Sequence, residues 1–223
     1  MPYCCTMRMV LKSALGAAAC LALMGCSASG PAPKEAQKET PKKEEKVPDV
    51  YRVNLDTSKG PVIIEVHRDW APRGADHFYS LVKTGFYNGN RFFRYVRNFI
   101  VQFGISGEPR LNRLWSNLNL PDDPVKQSNR KGTVTFATSG PNTRATQLFI
   151  NLKDNVALDK QGFAPIGKVV SGMDTIEILY SVYGDMPSMG GQGPDPTKIE
   201  TEGNDYLANN FARLDYIRKA TIE

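Results

Sequence analysis

The stretch RFFRYVRNFIVQFG, residues 91–104, contains two strand-like pieces near 91–96 and 99–103, both rich in Phe, Tyr, Val and Ile. Arg94 interrupts the first piece, because strict alternation would place it on the same face as Phe92 and Val96. A permanent charge at such a position has two explanations. The arginine is solvated or paired with a carboxylate, or it points into a binding groove. The stretch alone leaves both open.

Outward from this stretch, the chain alternates short strand patterns with few helical ones. Pro72 is placed like the first residue of a helix, and the apolar spacing that follows predicts a helix over about 72–84. Further helices are predicted near 173–180 and 205–212, and a loop rich in Pro, Asn and Asp covers about 105–131. The predicted strands lie near 51–55, 62–66, 91–96, 99–103, 132–137, 147–152, 164–170 and 215–222.

This pattern predicts a mainly β fold, namely a closed, eight-stranded antiparallel barrel capped by two helices. An extra C-terminal insertion over 184–212 precedes the last strand, and we expect it to brace the barrel. The net charge is +5, but residues 1–48 carry seven Lys/Arg and four Asp/Glu, so the folded part is nearly neutral. Nothing in it favours nucleic-acid binding. No feature marks an oligomer, and we expect a monomer.

The N-terminus has the layout of a secretory signal over residues 1–26. Arg8 and Lys12 precede the apolar run LGAAACLALMG, which ends at Cys26. The sequence before and including Cys26, LMGC, resembles the lipobox of bacterial lipoproteins. That resemblance implies lipidation of Cys26 and an extracytoplasmic, lipid-anchored protein, on the periplasmic face of the outer membrane if the cell is Gram-negative. A plain cleaved signal with an incidental cysteine, or an uncleaved anchor, are the alternatives.

Residues 27–48 are rich in Pro, Lys and Glu and almost devoid of apolar side chains. Such a segment cannot offset its ordering entropy by burial, so we expect a disordered tether. The folded domain is then 49–223. Because all four cysteines lie at or before Cys26, this domain has no disulfide framework, thiolate metal site or cysteine nucleophile.

Common catalytic motifs are missing from the sequence. It has no phosphate-binding loop and no G-x-S-x-G elbow, and His67 and His77 lack metal-ligand spacing. Asp122 and Asp123, between prolines, are typical of a turn rather than of an acid/base pair. We therefore expect no metal and no cofactor. Rotation about an X–Pro peptide bond needs neither, only an apolar pocket for the ring, a grip on the peptide and a donor to the proline nitrogen.

Three blocks, in order and at fitting intervals, resemble the cyclophilin family of peptidyl-prolyl isomerases over about residues 50–182. The first runs from Phe93-Arg94 to Gly104, and the second from Thr135 to Ile150 with TFATSGPNT and QLFI. The third holds Leu158-Asp159, Phe163 and IGKVV at 166–170. The resemblance implies a prolyl isomerase that acts on extended or unfolded proline-containing polypeptides.

The family's functional residues can be carried over position by position. The resemblance implies a catalytic set of Arg94, Gln102 and Phe99. It implies a substrate-binding set of Ile100, Ala137, Thr138, Gln147, Phe149, Leu158 and Phe163. Ile100 replaces the usual methionine, Thr138 replaces the commoner asparagine, and Phe163 lies near the family's pocket histidine with a one-residue difference in length.

Ala157 stands where cyclosporin-sensitive members of the family carry tryptophan. Loss of that ring removes a large apolar contact and an indole donor, so we expect weak cyclosporin A binding. Together with the signal, the resemblance predicts an isomerase that assists the folding of exported proteins. The alternative is a chaperone or binding module that holds proline-containing segments without turnover.

Overall fold

A computed structural model describes residues 46–115 and 118–223. Within them eight antiparallel strands form a single sheet in the order β3-β4-β6-β5-β7-β2-β1-β8. The strands are β1 Val50–Thr57, β2 Gly60–His67, β3 Arg94–Val96, β4 Ile100–Phe103, β5 Thr133–Phe136, β6 Leu148–Asn151, β7 Pro165–Ser171 and β8 Ile217–Ile222. The helices are α1 Pro72–Lys83, α2 Pro109–Trp115, α3 Met173–Glu177 and α4 Pro196–Asn210.

The sheet curves around an apolar core because one face of each strand is buried. Val53, Leu55, Val62 and Ile64 are fully buried on the β1–β2 hairpin. Helix α1 packs against this core through the apolar stripe that its sequence predicts, which includes Phe78 and is buried. Pro72 begins the helix, as expected.

The prediction of a closed barrel is not confirmed. The strand ladders leave β3 and β8 at the two ends of the sheet, so the described part of the chain forms an open half-barrel. An isolated bridge between Arg91 and Tyr216 joins the segments that precede these two strands. Strand β3 forms its ladder with β4, and the N–H of its Tyr95 donates to the carbonyl of Gly184 at 3.1 Å and not to β8.

The placement of Phe92 corrects the expected alternation around Arg94. The strand begins only at Arg94, and Phe92 belongs to the main core, where its N–H donates to the carbonyl of Asp215 at 3.0 Å. Arg94 therefore does not share a face with Phe92. Because the strand ladder begins only at Arg94, the alternation of side chains between the two faces does not extend to the residues before it.

The helices also differ from the sequence prediction. Two capping helices were expected, but α2 lies inside the predicted 105–131 loop, and α3 is shorter than the predicted 173–180 helix. In the insertion, α4 covers Pro196–Asn210 with a kink at Gly203, and the predicted 205–212 helix overlaps only the part after the kink. The Gly- and Pro-rich run before α4 has low helix propensity, which obscures where the helix begins. Pro196 at the first helical position and Asp195 as N-cap are nevertheless strong signals of a helix start.

The C-terminal insertion builds a second, smaller core. Phe93 and Ile105 from the sheet side bury against Ile199 and Leu207 of α4. Helix α4 is also tied to the segment before α2, because the N–H of Asn204 donates to the carbonyl of Gly107 at 2.8 Å. The insertion is thereby fixed beside β3 and β4.

The predicted signal over 1–26 and nearly all of the predicted tether over 27–48 lie outside the described residues. These two assignments stay predictions. Among the residues described, none of the helices is both long and apolar enough to span a bilayer.

Candidate active site

A row of directly paired residues crosses the β3–β4–β6 part of the sheet. Arg94 pairs with Gln102, and Gln102 pairs with Phe149. Directly opposed residues of antiparallel strands project from the same face, so these three side chains emerge together. The neighbouring row, Tyr95 with Val101, faces the core instead. This register answers the question that Arg94 raises, because it places the arginine on the sheet face that turns away from the core.

Hydrogen bonds link the two polar members of the row to each other and to Gln147. The Arg94 Nη1 group donates to Gln102 Oε1 at 3.1 Å, and Gln102 Nε2 donates to Gln147 Oε1 at 2.8 Å. Gln102 is buried, with 6% of its surface exposed, and buried polar groups keep such bonds because leaving them unmade is costly. The glutamine therefore fixes the direction of one edge of the guanidinium.

An apolar pocket adjoins this polar chain. The rings of Phe149 and Phe163 meet edge to face, with centroids 5.7 Å apart. Phe99, Ile100 and Leu158 complete the apolar lining. The pocket and the polar chain lie in one cleft of about 480 Å³, which is a typical size for a small-ligand site.

All ten residues of the predicted catalytic and substrate-binding sets line this one cleft: Arg94, Phe99, Ile100, Gln102, Ala137, Thr138, Gln147, Phe149, Leu158 and Phe163. Ala157, where the family's tryptophan is missing, is exposed and not part of the lining. The structure thus brings the predicted residues together. Their individual roles stay predictions.

A buried network of amide side chains supports the apolar walls. Asn129 donates to the carbonyl of Phe163 at 2.8 Å, and Asn155 donates to the carbonyl of Phe99 at 2.9 Å. Asn151 links the two, since it donates to Asn129 at 3.2 Å and accepts from Asn155 at 2.8 Å. The network therefore ties two opposite walls of the pocket to the floor of the sheet.

Asp159 anchors the same network at its edge. Its carboxylate accepts from the Ser128 hydroxyl at 2.6 Å and from the side-chain amide of Asn129 at 2.8 Å. Burial alone would raise the pKa of Asp159, but these hydrogen bonds, with one from the backbone of Asn129, outweigh it and lower the pKa below its ordinary value. Asp159 is thus a fixed anion that holds the 128–129 turn against the pocket.

Sequence reasoning missed one side of the cleft. Met186, Pro196 and Glu200 come from the C-terminal insertion and line it, and Asp185 of the same insertion binds Arg94. The expected brace is thus also a wall of the site. No local signal marks these residues, because Asp185 reaches Arg94 across 91 positions of sequence. Asn112 and Asn119, from the predicted 105–131 loop, were missed for the same reason.

Arg94 itself satisfies both explanations left open by the sequence. Its Nε lies 2.6 Å from Asp185 Oδ1, and its Nη2 lies 3.3 Å from Asp185 Oδ2, so it is a paired arginine. It also lines the cleft, with 11% of its side chain exposed. The pairing and the binding groove are parts of one arrangement.

Residues 52–201 match the family model for cyclophilin type peptidyl-prolyl cis-trans isomerase/CLD. The chain belongs to the cyclophilin family. It is 34% identical over 136 residues to a peptidyl-prolyl cis-trans isomerase of Acinetobacter baylyi, and the matched region covers 58% of this chain and 72% of that protein. It is 35% identical over 128 residues to peptidyl-prolyl cis-trans isomerase-like 1 of Rhizopus delemar, covering 56% and 77%.

A solved cyclophilin of Cryptosporidium parvum shares the fold. Its crystal structure, determined in the presence of the dipeptide Ala-Pro, superposes with a TM-score of 0.56 at 20% identity and covers 77% of this chain and 98% of that one. Together with the family match, these relatives make the chain a cyclophilin-type peptidyl-prolyl cis-trans isomerase. Among the described residues no group of His, Cys, Asp and Glu side chains is arranged to hold a metal ion.

Proposed function

We propose that this cyclophilin twists the X–Pro bond of extended polypeptides with Arg94 as donor, and that it does so outside the cytoplasm to assist the folding of exported proteins. The observation that carries the first part is the cleft, in which an arginine fixed by hydrogen bonds lies next to an apolar pocket. The N-terminal signal and the LMGC sequence support the second part.

The chemistry follows from what happens to the amide as it rotates. In the planar peptide the nitrogen lone pair is delocalised, and twisting the bond frees it to accept a hydrogen bond. A donor that reaches the nitrogen only in the twisted form stabilises the transition state more than either planar isomer. In this assignment Arg94 provides that donor. The apolar set around Phe149 and Phe163 holds the proline ring while the flanking peptide turns.

The transition-state stabilisation must come from both the donor and the pocket. An acceleration of about 10⁶-fold corresponds to roughly 8 kcal/mol of transition-state preference. One well-placed donor in a shielded site supplies about 3–4 kcal/mol. Arg94 is therefore necessary but not sufficient, and the pocket must fit the twisted peptide better than the planar one.

The test is a prolyl-isomerisation assay, by NMR exchange or protease coupling, on the full-length chain. We expect Arg94→Ala to lower kcat/KM by at least about 10²-fold. Arg97→Ala is the matched control, because Arg97 is three residues away and donates to Ser181 on the surface. Full activity in Arg94→Ala would refute the assigned role. Peptide binding without turnover in the wild type would identify a binding module instead.

The membrane attachment is tested separately. We propose that Cys26 is lipidated and that residues 27–48 hold the isomerase domain away from the bilayer; fully extended, this tether would reach about 75 Å. Expressed in a bacterium, the wild type should partition with membranes and incorporate labelled palmitate, and Cys26→Ser should do neither. Membrane partitioning and labelling that persist in Cys26→Ser would exclude this anchor.

A further inference from the structure

The guanidinium of Arg94 is held from two sides. Asp185 binds the Nε edge in a bidentate contact, at 2.6 and 3.3 Å, and Gln102 binds Nη1 at 3.1 Å. Only 11% of the Arg94 side chain and 23% of the Asp185 side chain are exposed. Bidentate arginine–carboxylate pairs fix the plane of the guanidinium as well as its position. Gln102 comes from the sheet, whereas Asp185 comes from the C-terminal insertion.

The backbone around Asp185 is built to keep it there. The carbonyl of Gly184 accepts from the N–H of Tyr95 at 3.1 Å, so the insertion attaches to β3 one residue from Arg94. The Asp185 carbonyl accepts from the N–H of Gly193 at 2.7 Å, and a Cβ on Gly191 would lie 2.0 Å from that carbonyl oxygen. Only glycine allows so close an approach. The loop thus closes tightly over the aspartate.

The donors of Arg94 can be counted. A guanidinium has five N–H bonds. Asp185 takes two and Gln102 takes one of them, all in the described part of the chain. Two N–H bonds are left for a substrate, and their directions are set by the two partners. An arginine side chain otherwise carries about 2 kcal/mol of rotamer entropy, much of which would have to be lost in the transition state.

The carboxylate also has an opposing effect, since its negative charge weakens the positive field of the arginine. That effect matters most where a full negative charge develops on the substrate. In the proposed twist the acceptor is the neutral lone pair of an amide nitrogen, for which the direction of the N–H bond matters more than net charge. The gain from orienting the N–H bonds of Arg94 should therefore outweigh the weakening of its positive field by Asp185.

We propose that Asp185 is a positioning residue for catalysis, which orients Arg94 toward the bound prolyl bond from a segment that follows the three motif blocks. The proposal rests on the function assigned above to Arg94. It gives the C-terminal insertion a part in the reaction as well as in the packing. It also means that the arginine is oriented before the substrate arrives.

The experiment compares kcat and KM of Asp185→Asn with those of the wild type, on the full-length chain. Asparagine keeps an oxygen for the N–H of Met186, which lies 2.8 Å from Oδ1, but loses the charge and the bidentate grip. We expect kcat to fall about tenfold, less than the ~10²-fold expected for loss of the donor itself. KM should change little, because the ring pocket around Phe149 and Phe163 is untouched.

The same substitution in an Arg94→Ala background separates positioning from a structural role. If Asp185 acts through Arg94, Asp185→Asn should change the residual activity less than twofold there. Asp154→Asn is the matched control, since Asp154 forms an exposed pair with Arg130 at 2.8 Å. Its kcat and KM should match those of the wild type.

Three results would overturn the proposal. They are an unchanged or higher kcat in Asp185→Asn, a loss expressed mainly in KM, and an equal loss in the Arg94→Ala background. An unimpaired Arg94→Ala enzyme would remove the proposed function itself. If Arg94→Ala loses activity and Asp185→Asn does not, only the positioning role fails.

Discussion

Asp123→Ala should be the most damaging carboxylate substitution at the entrance of helix α1. The Asp123 carboxylate accepts from the backbone N–H groups of Arg73 at 3.2 Å and Gly74 at 2.9 Å, although it lies about fifty positions away in sequence. It thereby replaces the N-cap side chain that α1 lacks, since Ala71 at that position has none to offer. Its other contact is an ion pair with Arg144 at 3.1 Å.

The stability lost in Asp123→Ala depends on how deeply these contacts are buried. The Asp123 side chain is 1% exposed and that of Arg144 is 3% exposed, so the pair is fully buried. Removing one partner of a buried pair costs about 3–5 kcal/mol because the other charge is left behind. Asp122, 3.3 Å from Arg144 Nε, would compensate in part, which favours the lower end of that range. Loss of the cap adds about 1 kcal/mol.

The expected total for Asp123→Ala is about 4 kcal/mol, and for a domain of this size that lowers Tm by about 8–16 °C. Denaturant unfolding and a thermal melt measure the two quantities. Asp122→Ala is the control: its side chain is 38% exposed and Asp123 still neutralises Arg144 in this variant, so the loss should be only about 1 kcal/mol. Equal losses in the two variants, or a loss below 1 kcal/mol for Asp123→Ala, would show that the buried pair and the cap do not act as described.

Three further outcomes are expected. Burial raises the pKa of Glu200 above 4.5, so ionisation of this carboxyl destabilises the fold as the pH rises past that value. Glu200→Gln should therefore be more stable than the wild type at pH 7 and equally stable near pH 4. Identical stability profiles against pH would contradict this assignment. Cyclosporin A should bind weakly because Ala157 lacks the indole, and a submicromolar Kd by calorimetry would refute this. Gly203→Ala should lower the free energy of unfolding by about 1–3 kcal/mol more than Gly190→Ala. Both glycines have positive φ, but only a Cβ at Gly203 would overlap other atoms, since it would lie 2.3 Å from the Gly107 carbonyl oxygen. Equal losses of stability in denaturant unfolding would contradict the overlap.

The sheet and most of the candidate site could be predicted from the sequence. Alternation and turn residues placed all eight strands, and helix α1 follows from Pro72 and its apolar stripe. The three motif blocks supplied Arg94, Gln102 and the apolar set, all of which line one cleft. The strands and helix α1 are local features, since each depends on spacing within a short segment, whereas the site residues follow from the family resemblance of the three blocks.

The features that sequence reasoning missed depend on contacts between distant segments. Asp122 and Asp123 have the composition of a turn, yet Asp123 caps α1 and neutralises Arg144. Asp185 lies in a Gly- and Pro-rich stretch with no motif, yet it binds Arg94. Closure of the barrel was predicted from the number of strands, whereas no ladder joins the end strands β3 and β8 in the described part of the chain.

The sequence by itself determined the strand pattern and the helix that caps the core, because local spacing and residue type encode them, and its resemblance to cyclophilins supplied the residues of the proposed proline pocket. Only the tertiary structure decided which carboxylate meets which arginine, and that the insertion forms a wall of the cleft. The physical reason is that an ion pair or a backbone cap depends on distance in space, and two side chains can meet at 3 Å whatever their separation along the chain.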